Sequence, residues 1–167
     1  TVGQAVDPAD FTWEYDGAHW QRRVTAHTPP LVHGSLATPL RYYCAYDSVR
    51  QRLVLLTQGN PSPETGEYDG VDWQHVATAT SLPALSGGAM AYDSVRQRMV
   101  LFGGVTNTGF LVNITREYDG VDWQVRVVAN APPPRWQHGM AYDPVRQALV
   151  VHGGRTVAFP QVILHDT

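Results

Sequence analysis

The stretch "AYDSVRQRMVLFGG" occupies residues 91–104, and two near copies flank it: "AYDSVRQRLVLLTQG" at 45–59 and "AYDPVRQALVVHGG" at 141–154. A second phrase keeps step with it. "EYDGxxW" closes at Trp20, Trp73 and Trp123, in steps of 53 and 50 residues, while Tyr46, Tyr92 and Tyr142 follow in steps of 46 and 50. A unit of about 50 residues therefore runs through the whole chain, and such a period marks a repeat architecture.

Each unit reads as four short strands. The first ends in "AMAYD" or "GMAYD", and the turn "SVRQR" or "PVRQA" follows. Asp93 suits that turn because its carboxylate can accept backbone N–H groups just beyond it. The second strand is a short apolar run, "MVLFGG", ending on glycines that permit positive φ or close backbone approach. A loop of variable length leads to the third strand, which ends at "REYDG". Asp119-Gly120 is a hairpin-turn signal. The fourth strand opens at Trp123, and alternation places Trp123, Val125 and Val127 on one face. Helical spacing is never sustained, and Pro-rich connectors such as "NAPPP" separate the units. Four-stranded units at this period point to an all-β chain, a β-propeller.

The Gly103-Gly104 and Gly153-Gly154 pairs, the Tyr of "EYDG" and the Trp three residues beyond its Gly resemble the kelch repeat, in the form found in bacteria. The resemblance covers essentially the whole chain, with one departure at Gln58-Gly59. It implies a propeller of four-stranded blades, about three per chain. Residues 1–33 supply the third and fourth strands of a first blade, 34–82 a second blade, 83–131 a third, and 132–167 the first strands of a fourth. Kelch propellers commonly seal their ring by joining strands from both ends of the chain. Two closures follow: a homodimer sharing a ring of about six blades, or a segment of a longer propeller, which the mid-motif ends favour.

Composition excludes several classes. Of 167 residues 43% are hydrophobic and 16% charged, a globular balance. The net charge is −3, and all 12 basic residues are Arg, with no basic run to favour nucleic acid or anionic membrane. Cys44 stands alone, so no internal disulfide or thiol pair forms. The opening "TVGQAVDPAD" lacks the pattern of a signal peptide, and no apolar run reaches membrane-spanning length, which leaves a cytoplasmic protein or a mature secreted one.

Most conspicuous residues have a structural role. The recurrent Tyr15, Tyr68, Tyr118 and Trp20, Trp73, Trp123 read as blade core. The "DGVD" aspartates read as turn formers and not as a calcium loop, and Arg50, Arg96 and Arg146 as turn braces or solvated groups. Asn113-Ile114-Thr115 is a formal glycosylation acceptor.

Where the units differ, ligand binding is the natural search. The three first strands read "PLRYYCAYD", "LSGGAMAYD" and "RWQHGMAYD". The innermost strand of a propeller lines its channel, so Arg41, Tyr42, Tyr43, Arg135, Trp136 and His138 are candidates for a polar or sugar-like ligand. Packing at a blade interface would equally explain them. The resemblance also raises galactose oxidase and related copper radical oxidases, which set two Tyr and two His around copper with one Tyr cross-linked to Cys. Tyr42, Tyr43 and Cys44 supply such ingredients, but His27, His33, His138 and His152 lack ligand spacing. No nucleophile elbow, phosphate loop or catalytic carboxylate pair appears. The expectation is a non-catalytic binding or scaffolding module for a protein or carbohydrate ligand, with no cofactor, no metal, and neither nucleic acid nor membrane as partner. The contact surface would be the loops at 58–66 and 105–112 with the channel-side residues. The alternatives are part of a propeller enzyme, oxidase or carbohydrate-active, and a recently duplicated or engineered repeat with no evolved ligand.

Overall fold

The computed structural model describes residues 11–30, 42–58 and 62–156. They form an all-β molecule of fourteen strands, without a helix among the described residues. A hairpin, β1 (Thr12–Tyr15) and β2 (Trp20–Arg23), comes first. Next is a four-stranded antiparallel meander of β3 (Tyr42–Asp47), β4 (Arg52–Thr57), β5 (Thr65–Tyr68) and β6 (Trp73–Val76). A second meander has β8 (Ala89–Asp93), β9 (Arg98–Phe102), β11 (Thr115–Tyr118) and β12 (Trp123–Arg126). The hairpin of β13 (Gly139–Asp143) and β14 (Ala148–His152) follows. Two short strands, β7 (Leu85–Ser86) and β10 (Val105–Thr106), pair beside the second meander. The first strands adjoin one another, with β8 lying between β3 and β13.

The repeated phrases become these strands for local reasons. In the turn after each first strand, Asp47 Oδ1 accepts the N–H groups of Val49 and Arg50, and Asp93 and Asp143 do the same two and three residues on. Gln51, Gln97 and Gln147 then take φ near +55°, which turns the chain back into the second strand. In "EYDG" the Asp side chain caps the hairpin: Asp119 Oδ1 accepts from Val121 and Asp122 at 2.9 Å, and Gly120 follows with φ +96°. Of the "DGVD" aspartates, Asp69 and Asp119 are therefore turn formers, whereas the side chains of Asp72 and Asp122 accept from His27 and Thr80 of the preceding connectors. Register repeats as well. Tyr118 lies opposite Met99 and Trp123, as Tyr68 lies opposite Leu53 and Trp73.

The core sits between the two meanders. Tyr43, Val54 and Leu56 meet Met90, Tyr92, Met99, Leu101, Tyr118 and Trp123, all buried. Burial of such a side chain contributes about 2 kcal/mol, so this contact dominates the packing. The recurrent aromatics divide here. Trp73 and Trp123 are 6% and 0% exposed, whereas Trp20 is 65% exposed, and Tyr15 follows Trp20 into solvent. The expectation of a core role for Tyr15 and Trp20 is corrected within this chain. Tyr68–Trp73 and Tyr118–Trp123 each pack toward the preceding unit, and among the described residues no unit stands in front of β1–β2. Of the apolar alternation that begins on β12 only Trp123 is covered; Val125, and Val127 just beyond the strand, lie exposed.

Candidate functional site

The contacts between successive units form a repeated ladder. Tyr118 Oη donates to Glu67 Oε1 at 2.9 Å, and Trp123 Nε1 donates to Thr65 Oγ1 at 2.9 Å. One unit earlier, Tyr68 Oη donates to Glu14 Oε1 at 2.9 Å, and Trp73 Nε1 to Thr12 Oγ1 at 2.7 Å. Arg50 ties the turn to this ladder: its Nε meets Asp47 Oδ2 and its Nη1 meets Glu67 Oε1, both at 2.7 Å. Arg96 repeats the arrangement with Asp93 and Glu117, and Arg126 adds a second cation to Glu117. Arg50 and Arg96 are turn braces, while Arg146 stands largely in solvent. Burial would raise the Asp47 carboxyl, but the Arg50 backbone N–H, the Tyr92 hydroxyl and the Arg50 guanidinium hold it below its usual range. Burial, then the Asp47 charge, pushes the Tyr92 phenol up to about 12. These groups are spent on holding units together.

Of the candidates named from sequence, Arg41 and His33 lie outside the described residues. Tyr43 is buried; its hydroxyl donates to Leu85 O at 2.9 Å and accepts from Gly88 N at 3.1 Å, tying β3 to the start of the next first strand. Tyr42 and Cys44 point from the opposite face of β3 and are exposed. Arg135 is buried, and its guanidinium donates to Pro133 O and Gly153 O. His138 is buried edge-on against Phe102 without a partner for either ring nitrogen; burial, then the Arg135 charge, lowers it to about 4. Trp136 is half-buried and lies against Gly87. The diglycines explain the crowding. A Cβ on Gly103 would lie 2.7 Å from Arg135 O, and one on Gly154 would lie 2.9 Å from Trp136 O, so each pair admits the connector beside it.

The fold thus gathers Tyr43, Trp136, Arg135 and His138 around the starts of the first strands, mostly as buried braces. Tyr42 and part of Trp136 remain open to a ligand. Gln58, the departure from diglycine, accepts a hydrogen bond from Ser86 Oγ at 2.8 Å. Among the described residues the ingredients of a copper radical centre are not brought together. Tyr43 spends its hydroxyl on backbone, Cys44 faces the other way, and among the described residues no group of three or more His, Cys, Asp or Glu converges.

Two features escaped the sequence reading. Arg116 is buried between the meanders beside Tyr43, Leu56 and Leu82, with Nε and Nη1 unpartnered, and burial lowers its pKa. Phe110 stands 72% exposed on a braced loop, where Thr106 N donates to Phe110 O and Phe110 N to Thr106 Oγ1. Only the variability of that loop pointed to it. No family model matches the chain, and no curated protein matches it in sequence.

Proposed function

We propose that the chain forms blades of a kelch-like β-propeller and works as a non-catalytic binding or scaffolding module for a protein or carbohydrate ligand. The propeller reading is supported by consecutive four-stranded meanders with adjoining first strands and by the recurring Tyr–Glu and Trp–Thr bonds. The binding reading rests on one observation: a loop fixed by its own hydrogen bonds turns Phe110 into water. An ordered aromatic without a packing role suits contact with a sugar face or an apolar side chain. Tyr42, exposed on a first strand, supplies a second such surface.

Immobilised oligosaccharide and peptide panels test this. A ligand whose affinity falls by about tenfold or more in Phe110→Ala or Tyr42→Ala, with unchanged circular dichroism, supports the module. Binding that tolerates both substitutions, or turnover of a carbohydrate substrate, would falsify it.

A further inference from the structure

We propose that Arg116 holds one chloride ion in the gap between the two meanders. A guanidinium keeps its proton in a protein, so a buried one needs a counter-charge and acceptors for its N–H groups. Arg116 is 3% exposed, and among the described residues its Nε and Nη1 have no hydrogen-bond partner. The buried carboxylates Asp47, Glu67, Asp93 and Glu117 each already have an arginine, and none of the four lines the gap beside Arg116. Glu117 is its neighbour in sequence, but alternation along β11 turns the two side chains to opposite faces.

The gap measures about 10 Å³, room for one water-sized group, and its lining includes Tyr43, Leu56, Thr57, Leu82, Leu101 and Arg116. Its side chains offer donors. Thr57 Oγ1 accepts from Glu64 N, which leaves its own O–H to donate. Tyr43 Oη already donates to Leu85 O and accepts from Gly88 N. A water in the gap would accept from Arg116, but its protons would meet leucine side chains. An anion only accepts, and it brings the charge that no carboxylate supplies. Chloride suits the size, whereas sulfate, phosphate and carboxylates are too large.

The same place in the preceding unit carries no charge. Gly66 lies opposite Leu55 as Arg116 lies opposite Leu101, and a Cβ on Gly66 would run into the ring of Pro30. Pro30 is fully buried, three residues after His27, whose N–H Asp72 accepts. Pro83 stands three residues after Thr80, whose N–H Asp122 accepts in the same way, yet Pro83 lines the gap beside Arg116. One unit is sealed by proline against glycine, and the next keeps a space with a cation beside it. Packing alone is satisfied by the first arrangement, so the second points to an occupant. The site rests neither on the propeller reading nor on Phe110.

Thermal unfolding of the whole chain in mixtures of sodium chloride and sodium gluconate, at constant ionic strength, tests this. Tm should climb with chloride in the wild type, by about 3–6 °C at about ten times the midpoint concentration. Arg116→Met keeps most of the bulk without the charge and should lose that increment. General effects of the two salts act on both chains alike and cancel in the comparison. Equal responses of the two chains overturn the proposal. Crystals of the unaltered chain grown in bromide give a second readout that does not depend on the variant folding. Anomalous scattering beside Arg116 is the expected result, and a water or an empty gap there overturns the proposal.

Discussion

Tyr118→Phe and Tyr15→Phe remove the same atom from the same motif and should differ widely in cost. Tyr118 Oη donates to Glu67 Oε1 at 2.9 Å inside the core, where burial and then the Glu67 charge hold its pKa far above the usual phenol value. A hydrogen bond to an ionised group contributes about 1.5–3 kcal/mol, and the substitution leaves no cavity because the ring stays. Glu67 keeps Arg50, so its charge is not stranded and the loss should be about 2 kcal/mol. For a chain of this size that lowers Tm by about 4–8 °C. Tyr15 Oη meets only Gly17 O in solvent, so its loss should stay within about 0.5 kcal/mol. Urea and thermal unfolding followed by circular dichroism give the two values. Equal losses would refute the ladder, as would an undiminished Tyr118→Phe effect when Glu67 is already Gln.

Gly66→Ala should cost about 1–3 kcal/mol by overpacking, since its Cβ would run into Pro30 Cδ and Cγ; unaltered urea unfolding would contradict that contact. His138 gives a pH signature. Its imidazole takes a proton near 6.5 when unfolded and only near 4 when folded, so the unfolded chain binds more protons between those values. Stability should therefore fall as pH drops through that window, by up to about 3 kcal/mol, and His138→Gln should flatten the curve there. The buried Asp47 and Asp93, held below the usual carboxylate range, lose their contribution only at lower pH. Gln97→Gly should stabilise by about 0.5–1 kcal/mol, because Gln97 holds φ +55° on an exposed turn; a loss in thermal unfolding would show the side chain to be needed.

Strand order and turn chemistry were legible because both are local. "AYD…VLFGG…EYDGxxW" carries its own punctuation: an Asp that accepts nearby N–H groups, Gly at positive φ, and apolar runs too short for helices. The candidate site was less legible. Arg135 and His138 read as ligand contacts because both are polar, yet the diglycines bring the connector close enough to bury them. Phe110 gave no signal beyond loop length, since an exposed Phe and a buried one look alike in a sequence.

The sequence by itself determined the repeat, the meander within each unit and the turns that close it, because these depend on neighbours a few residues apart. Only the tertiary structure decided what each copy of a repeated residue does. Tyr118 and Trp123 are core, while Tyr15 and Trp20 face water, although all four stand in the same phrase. The partners of Tyr118 and Trp123 are a Glu and a Thr more than 50 residues away on the preceding unit, a distance over which a local motif carries no information.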